Sequence, residues 1–149
     1  MNELPQSALP GINDPTAQGR ETATVLVIDD SNTIRRSAEL FLTQAGYEVI
    51  LAEDGFAALT KVTEHKPDVI FIDIMMPRLD GYQACALIKR SPKFHGTPVI
   101  MLSSKDGVFD RARGRLVGSD EYLTKPFTRD DLVNAVRQQM QKQTANLKG

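Results

Sequence analysis

The sequence predicts an α/β protein, a doubly wound parallel sheet of five strands accompanied by five helices. Short apolar runs rich in Val and Ile alternate strictly with longer stretches of helical periodicity, the pattern of a parallel sheet covered on both faces. The runs are continuously apolar, as strands buried on both sides must be. Right-handed crossovers then make a doubly wound sheet the simplest closure of that order.

Thr24 to Ile28 is the first strand, a near-continuous β-branched run. Ile34, Ala38, Phe41, Leu42 and Ala45 mark one stripe of the first helix, and Gly46 stops it. Tyr47 to Leu51 is a short second strand. Asp54-Gly55 opens a second helix carrying Ala58, Leu59 and Val62, which ends before Pro67. Val69 to Ile72 is the third strand. Asp80 caps a third helix with Ala84, Leu87 and Ile88 expected to face inward. Val99 to Leu102 is the fourth strand. Val108 to Leu116 is a weaker helix, since Gly114 costs it stability. Tyr122-Leu123 lies in a fifth strand, and Thr128 caps a last helix with Leu132, Val136 and Met140 on its inner face.

At 149 residues the chain is expected to be one domain with a core of its own. The ordered part is expected over residues 23–142. Residues 1–22, with Pro5, Pro10 and Pro15, read as a flexible tail, and so do residues 143–149. The net charge of -1 argues against a nucleic-acid binder, which needs a basic excess. No leader pattern and no membrane-length apolar run is found, so a cytoplasmic protein without a membrane partner is expected. Cys85 is the sole cysteine, so no internal disulfide can form.

In open α/β sheets, ligands bind outside the carboxyl ends of the strands. Strand one ends in Asp29-Asp30, strand three in Asp73, strand four in Ser103-Ser104, and strand five is followed by Lys125. Each alone could be a cap or a turn residue. Together they converge on one edge. Three carboxylates at one place repel, so either some stay protonated or a cation neutralises them. Hard oxygen ligands with open positions suit Mg²⁺. A carboxylate beside such a cation can attack a phosphoryl group and form an acyl phosphate. Lys125 and Mg²⁺ would supply the cations that the equatorial oxygens require, and Ser103 a neutral donor.

These residues carry a family resemblance. The Asp29-Asp30 pair, the stretch from Asp73 through Met75, Met76 and Pro77 to Asp80-Gly81, the Ser103-Ser104 pair, and Tyr122 to Phe127 with Lys125-Pro126 resemble the receiver domains of bacterial two-component response regulators. The match runs from about Thr24 to Met140, with four motifs in order. It implies a flavodoxin-like sheet of strand order 2-1-3-4-5. It implies that Asp73 is phosphorylated by a histidine kinase. Asp30 would bind Mg²⁺ directly, Asp29 largely through water, Asp73 as acceptor and ligand, and Met75 through its backbone carbonyl. Lys125 would contact the phosphoryl group, while Ser103 and Tyr122 would be the switch residues. The Lys125–Pro126 peptide would be cis. Because no second domain follows, the resemblance is to the stand-alone, chemotaxis-like type. There a downstream protein docks on the face of helix four, strand five and helix five. More narrowly, Asp29 to Arg36 and Arg111 to Arg115 look like regulators of type IV pilus twitching motility.

Other readings stay beside this one. An aspartate-nucleophile phosphatase commonly has a second acid two residues after the nucleophile. Here that residue is Met75, which cannot transfer a proton. A phosphorylation-independent scaffold is the third reading. Met75 and Lys105 are expected at the mouth of the site, with Met75 hindering the water that hydrolyses the acyl phosphate. Arg111, Arg113 and Arg115 are either a solvated face or a docking face for an acidic partner. Cys85 is packing or surface, and His65 and His95 lack ligand spacing.

Overall fold

The computed structural model describes residues 22–104 and 109–148. The strands are β1 (Thr24–Ile28), β2 (Glu48–Ala52), β3 (Val69–Asp73), β4 (Val99–Ser103) and β5 (Glu121–Thr124). The helices are α1 (Asn32–Gln44), α2 (Gly55–His65), α3 (Gly81–Arg90), α4 (Arg111–Leu116) and α5 (Arg129–Lys148). All strand pairings are parallel, in the order β2-β1-β3-β4-β5. This is the predicted order 2-1-3-4-5.

Successive strand residues point to opposite faces and so feed two cores. Leu26, Ile28, Ile70 and Ile72 pack with Ala58 and Val62 of α2 and with Ala84, Cys85 and Ile88 of α3. Val25, Val27, Val69 and Phe71 pack with Ala38 and Leu42 of α1 and with Leu132 and Val136 of α5. Burying each such Leu or Ile contributes about 1.5–3 kcal/mol. Cys85 is fully buried and its Sγ donates to the Val117 carbonyl at 3.5 Å. Burial pushes its thiol up to about 12.

The helix starts follow the capping residues. Asp54 accepts from Ala57 N, Asp80 and Gln83 form a reciprocal box, and Thr128 with Asp131 forms another. Gly46, at φ 96, follows the end of α1 in the left-handed conformation that ends helices. Two expectations change. Leu87 is 40% exposed, because the inward stripe of α3 runs through Gly81, Ala84, Cys85 and Ile88 and leaves position 87 off to one side. The last helix continues to Lys148 instead of giving way to a tail at 143. Gln, Lys and Ala in that stretch are good helix formers, and no Gly or Pro interrupts it before Gly149. For α4, Arg111–Leu116 is helical behind the cap Asp110, and the expected start at Val108 lies outside the described residues, as does the N-terminal segment 1–21.

Gly81 joins the fold to the site. A Cβ there would stand 2.4 Å from the Asp73 carbonyl oxygen and 2.8 Å from Ile74 Cα, both backbone atoms that cannot turn aside. Only glycine lets α3 start this close to the end of β3. Gly81→Ala is expected to destabilise the protein by roughly 2–3 kcal/mol in urea unfolding. Gly96→Ala, where nothing lies within 4 Å, should stay within about 0.5 kcal/mol. Equal effects of the two would contradict this role for Gly81.

Candidate functional site

Register brings the site together. Ile28 pairs with Ile72, so the next residues along, Asp29 and Asp73, lie side by side at the carboxyl edge. Asp73 in turn pairs with Leu102, which puts Ser103 at the same edge. Ser103 pairs with Thr124, and Lys125 N donates to the Ser103 carbonyl at 2.7 Å, holding the start of the β5–α5 loop over the site. The Lys125–Pro126 peptide is cis, as the resemblance implies.

Oxygens of Asp29, Asp30 and Asp73 all lie within 4.8 Å of one another. Lys125 Nζ reaches both Asp29 Oδ2 at 3.0 Å and Asp73 Oδ1 at 3.1 Å. Asp29 is fully buried, and its Oδ1 accepts from Ser31 N at 2.9 Å. Asp73 is 3% exposed, and its Oδ1 also accepts from Met75 N at 3.4 Å. Among the described residues, the N–H donors to Asp73, from Lys125 and Met75, both reach Oδ1, and its carboxylate also lies within hydrogen-bonding reach of the Asp30 side chain.

One ammonium therefore faces three carboxylates. Like charges this close cost a few kcal/mol unless a cation or a proton intervenes. The titration of Asp73 and Lys125 shows that tension. Burial first, and then the Asp29 charge, push Asp73 up from 3.8 to about 6, against the hydrogen bond and charge of Lys125. Burial alone would lower Lys125. The charge of Asp29 and the hydrogen bonds to Asp29 and Asp73 outweigh it and hold the ammonium above its usual range. An all-oxygen cluster with a buried carboxylate is the donor set a hard divalent cation takes.

The remaining predicted residues are placed as follows. Ser103 is 5% exposed, and among the described residues its hydroxyl makes only a long 3.4 Å contact to the Ser104 carbonyl. Met75 has its side chain in solvent, 71% exposed, and Lys105 lies outside the described residues. Tyr122 sits away from the carboxylates on β5, stacked on Phe109 with ring centroids 4.3 Å apart. Its hydroxyl accepts from Arg111 Nη2 at 2.6 Å, and the Arg111 guanidinium also lies 5.3 Å over its ring.

Sequence reasoning missed several partners. Arg35 Nη1 donates to the Asp29 carbonyl at 2.6 Å and pins the loop that carries both acidic residues. Its spacing of six from Asp29 gives no helical or strand signal. Phe109 bridges Tyr122 to Tyr82, whose hydroxyl accepts from Asp110 N at 3.0 Å. Arg113 lies 4.3 Å over the Tyr82 ring and 3.7 Å from Asp80. Gly114 was the available clue: a Cβ there would meet Phe109 Cζ at 2.6 Å, so this glycine makes room for the ring. Among the described residues, no helix is long and apolar enough to cross a membrane.

Comparison with known proteins agrees with this geometry. The family model described as the response regulator receiver domain matches residues 25–137. Protein PilG of Pseudomonas aeruginosa is 63% identical over 113 residues, covering 76% of this chain and 84% of PilG. The Bacillus subtilis alkaline phosphatase synthesis transcriptional regulatory protein PhoP is 40% identical over 104 residues, which is 70% of this chain but only 42% of PhoP. Among solved structures, the chemotaxis response regulator CheY4 of Vibrio cholerae superposes with a TM-score of 0.75 at 33% identity, over 80% of this chain and 99% of CheY4. The receiver domain of the Francisella response regulator 1452 gives 0.73 at 35% identity, over 82% and 99%. With its parallel sheet, its acidic edge and a family match spanning most of its length, the chain belongs to the response regulator receiver domains.

Proposed function

We propose that this protein is a phosphorylation-activated response regulator that accepts a phosphoryl group on Asp73 from a histidine kinase. It then signals by changing its affinity for another protein. The observation that carries this is the Lys125 ammonium bridging Asp29 and Asp73, with a third carboxylate within 4.8 Å. Asp29, Asp30, Asp73 and the Met75 carbonyl are the residues that would hold Mg²⁺. Bound there, Mg²⁺ supplies the positive charge that keeps Asp73 ionised and neutralises phosphoryl oxygens.

In the transfer, an Asp73 carboxylate oxygen attacks phosphorus in line with the donor bond. That bond breaks, the leaving group departs with its electron pair, and an acyl phosphate forms on Asp73. Lys125 neutralises the charge on the transferred oxygens, and the Ser103 hydroxyl donates to one of them. Ser103 and Lys125 meet through the 2.7 Å backbone hydrogen bond, and Tyr122 lies two residues before Thr124 on the same strand. A pull on Ser103 is therefore felt along β5 at the stack of Tyr122, Phe109 and Arg111. The downstream protein reads the face formed by α4, β5 and α5. The twitching-motility setting rests on the stretches Asp29 to Arg36 and Arg111 to Arg115, and on the 63% identity to PilG. A turnover phosphatase is disfavoured, because Met75 occupies the position of the general acid and a thioether moves no proton.

Incubation with acetyl phosphate and Mg²⁺ should add one base-labile phosphoryl mass, absent without Mg²⁺ and absent in Asp73→Asn. An adduct that persists in Asp73→Asn, or none from either acetyl phosphate or a kinase, would overturn the assignment. Met75 stands at the mouth of the site and screens the acyl phosphate from water, so Met75→Asn should shorten its lifetime several-fold. An unchanged decay rate would remove Met75 from the account.

A further inference from the structure

Away from the site and from the Tyr122 face, the molecule carries an apolar groove where α3 passes the turn between α4 and β5. Its volume is about 440 Å³, and Ala86, Lys89, Arg90, Leu116, Val117 and Gly118 line it. Two small residues, Ala86 and Gly118, leave this space. Gly118 holds φ +90, and a Cβ there would press on Lys89 Cγ at 3.1 Å. The Lys89 ammonium is committed elsewhere, to the carbonyls of Thr97 at 2.7 Å and His95 at 3.3 Å and to Asp120 at 3.1 Å, so only its apolar stem serves the groove.

Leu116 is 85% exposed, the most exposed of the large apolar side chains in the described fold. A single exposed leucine is ordinary. This one stands beside a groove of matching apolar chemistry. One carboxylate stands nearby, Asp120, and it is already paired with Lys89 at 3.1 Å. Arg90 lines the groove, Arg115 adjoins Leu116, and neither has a carboxylate partner among the described residues. No carboxylate lines the groove.

We propose that this groove is a second docking surface, for a protein segment that combines acidic residues with a leucine-sized apolar side chain. The apolar side chain packs between Ala86, Leu116 and Val117, while carboxylates pair with Arg90 and Arg115. An aliphatic peptide without charge would leave both arginines unmatched, and a basic one would be repelled. The surface lies at the end of α4 opposite the one that engages Tyr122 through Arg111. None of its lining residues is among those that hold Asp73, Ser103 or Lys125, so the partner is expected to bind whether or not Asp73 is phosphorylated.

The probe is the peptide acetyl-Glu-Glu-Leu-Leu-Glu-Glu-Leu-Leu-Glu-amide, titrated into the full chain and followed by backbone amide NMR shifts. Shifts are expected to centre on Ala86, Arg90, Leu116, Val117 and Gly118, and to be the same in Asp73→Asn. Arg90→Glu and Leu116→Ser, both at exposed positions, should each weaken binding about tenfold without changing the unfolding temperature. The version with lysine in place of glutamate should not bind. Absence of binding, shifts centred on Tyr122 or elsewhere, insensitivity to both substitutions, or binding to phosphatidylglycerol vesicles in place of the peptide would each overturn the proposal.

Discussion

Lys125 reaches into a pocket of three carboxylates and touches two of them, at 3.0 and 3.1 Å. That contact ties together parts of the chain 52 and 96 residues apart. It requires β1, β3, β4 and β5 to end at one level, which only the parallel order β2-β1-β3-β4-β5 and its register provide. It also requires a helix start as close to Asp73 as Gly81 allows. Much of the architecture can be understood as the frame that holds one ammonium against an acidic cluster it cannot fully neutralise.

That incomplete neutralisation is useful. A fully matched ion-pair cluster would be inert, whereas this one sets three carboxylates against one ammonium. The site thus favours a cation, whose charge would offset the three carboxylates. From Ser103 and Lys125 the path outward is short. β5 carries Tyr122, and Tyr122 is gripped between Phe109 and Arg111 at the surface. An aromatic side chain held at the surface by a stack and a hydrogen bond is the kind of element a small charge change can bias.

Most of the fold was legible because its signals are local. β-branched runs gave the strands, capping residues at Asp54, Asp80 and Thr128 gave helix starts, and the carboxyl-edge rule collected Asp29, Asp30, Asp73, Ser103 and Lys125 from four separate places. What the sequence hid depends on direction and distance. The outward turn of Leu87 follows from which side of α3 meets the sheet, and apolar character does not encode that. The persistence of α5 to Lys148 reflects helix propensity in a polar stretch whose lack of apolar residues leaves no periodic signal. Arg35 on the Asp29 carbonyl and Phe109 between two tyrosines arise from loops, where no periodicity announces a contact. Gly114 was legible only as a weakness of α4, and the structure gives it a purpose as the space for Phe109.

The central claim is that the acidic cluster is strained when no cation fills it, and it can be tested by unfolding the wild type and Asp73→Asn side by side in metal-free buffer across pH. Asp73 sits near 6 in the folded protein and near 3.8 when unfolded, so its charge costs stability above about pH 6, and that cost disappears as pH falls toward 4. The account predicts that Asp73→Asn is more stable than wild type by roughly 1–3 kcal/mol at pH 7. The gap should close toward pH 4, and Mg²⁺ at pH 7 should narrow it by raising the wild type alone. A variant no more stable than wild type at pH 7, or a gap indifferent to pH, would contradict it.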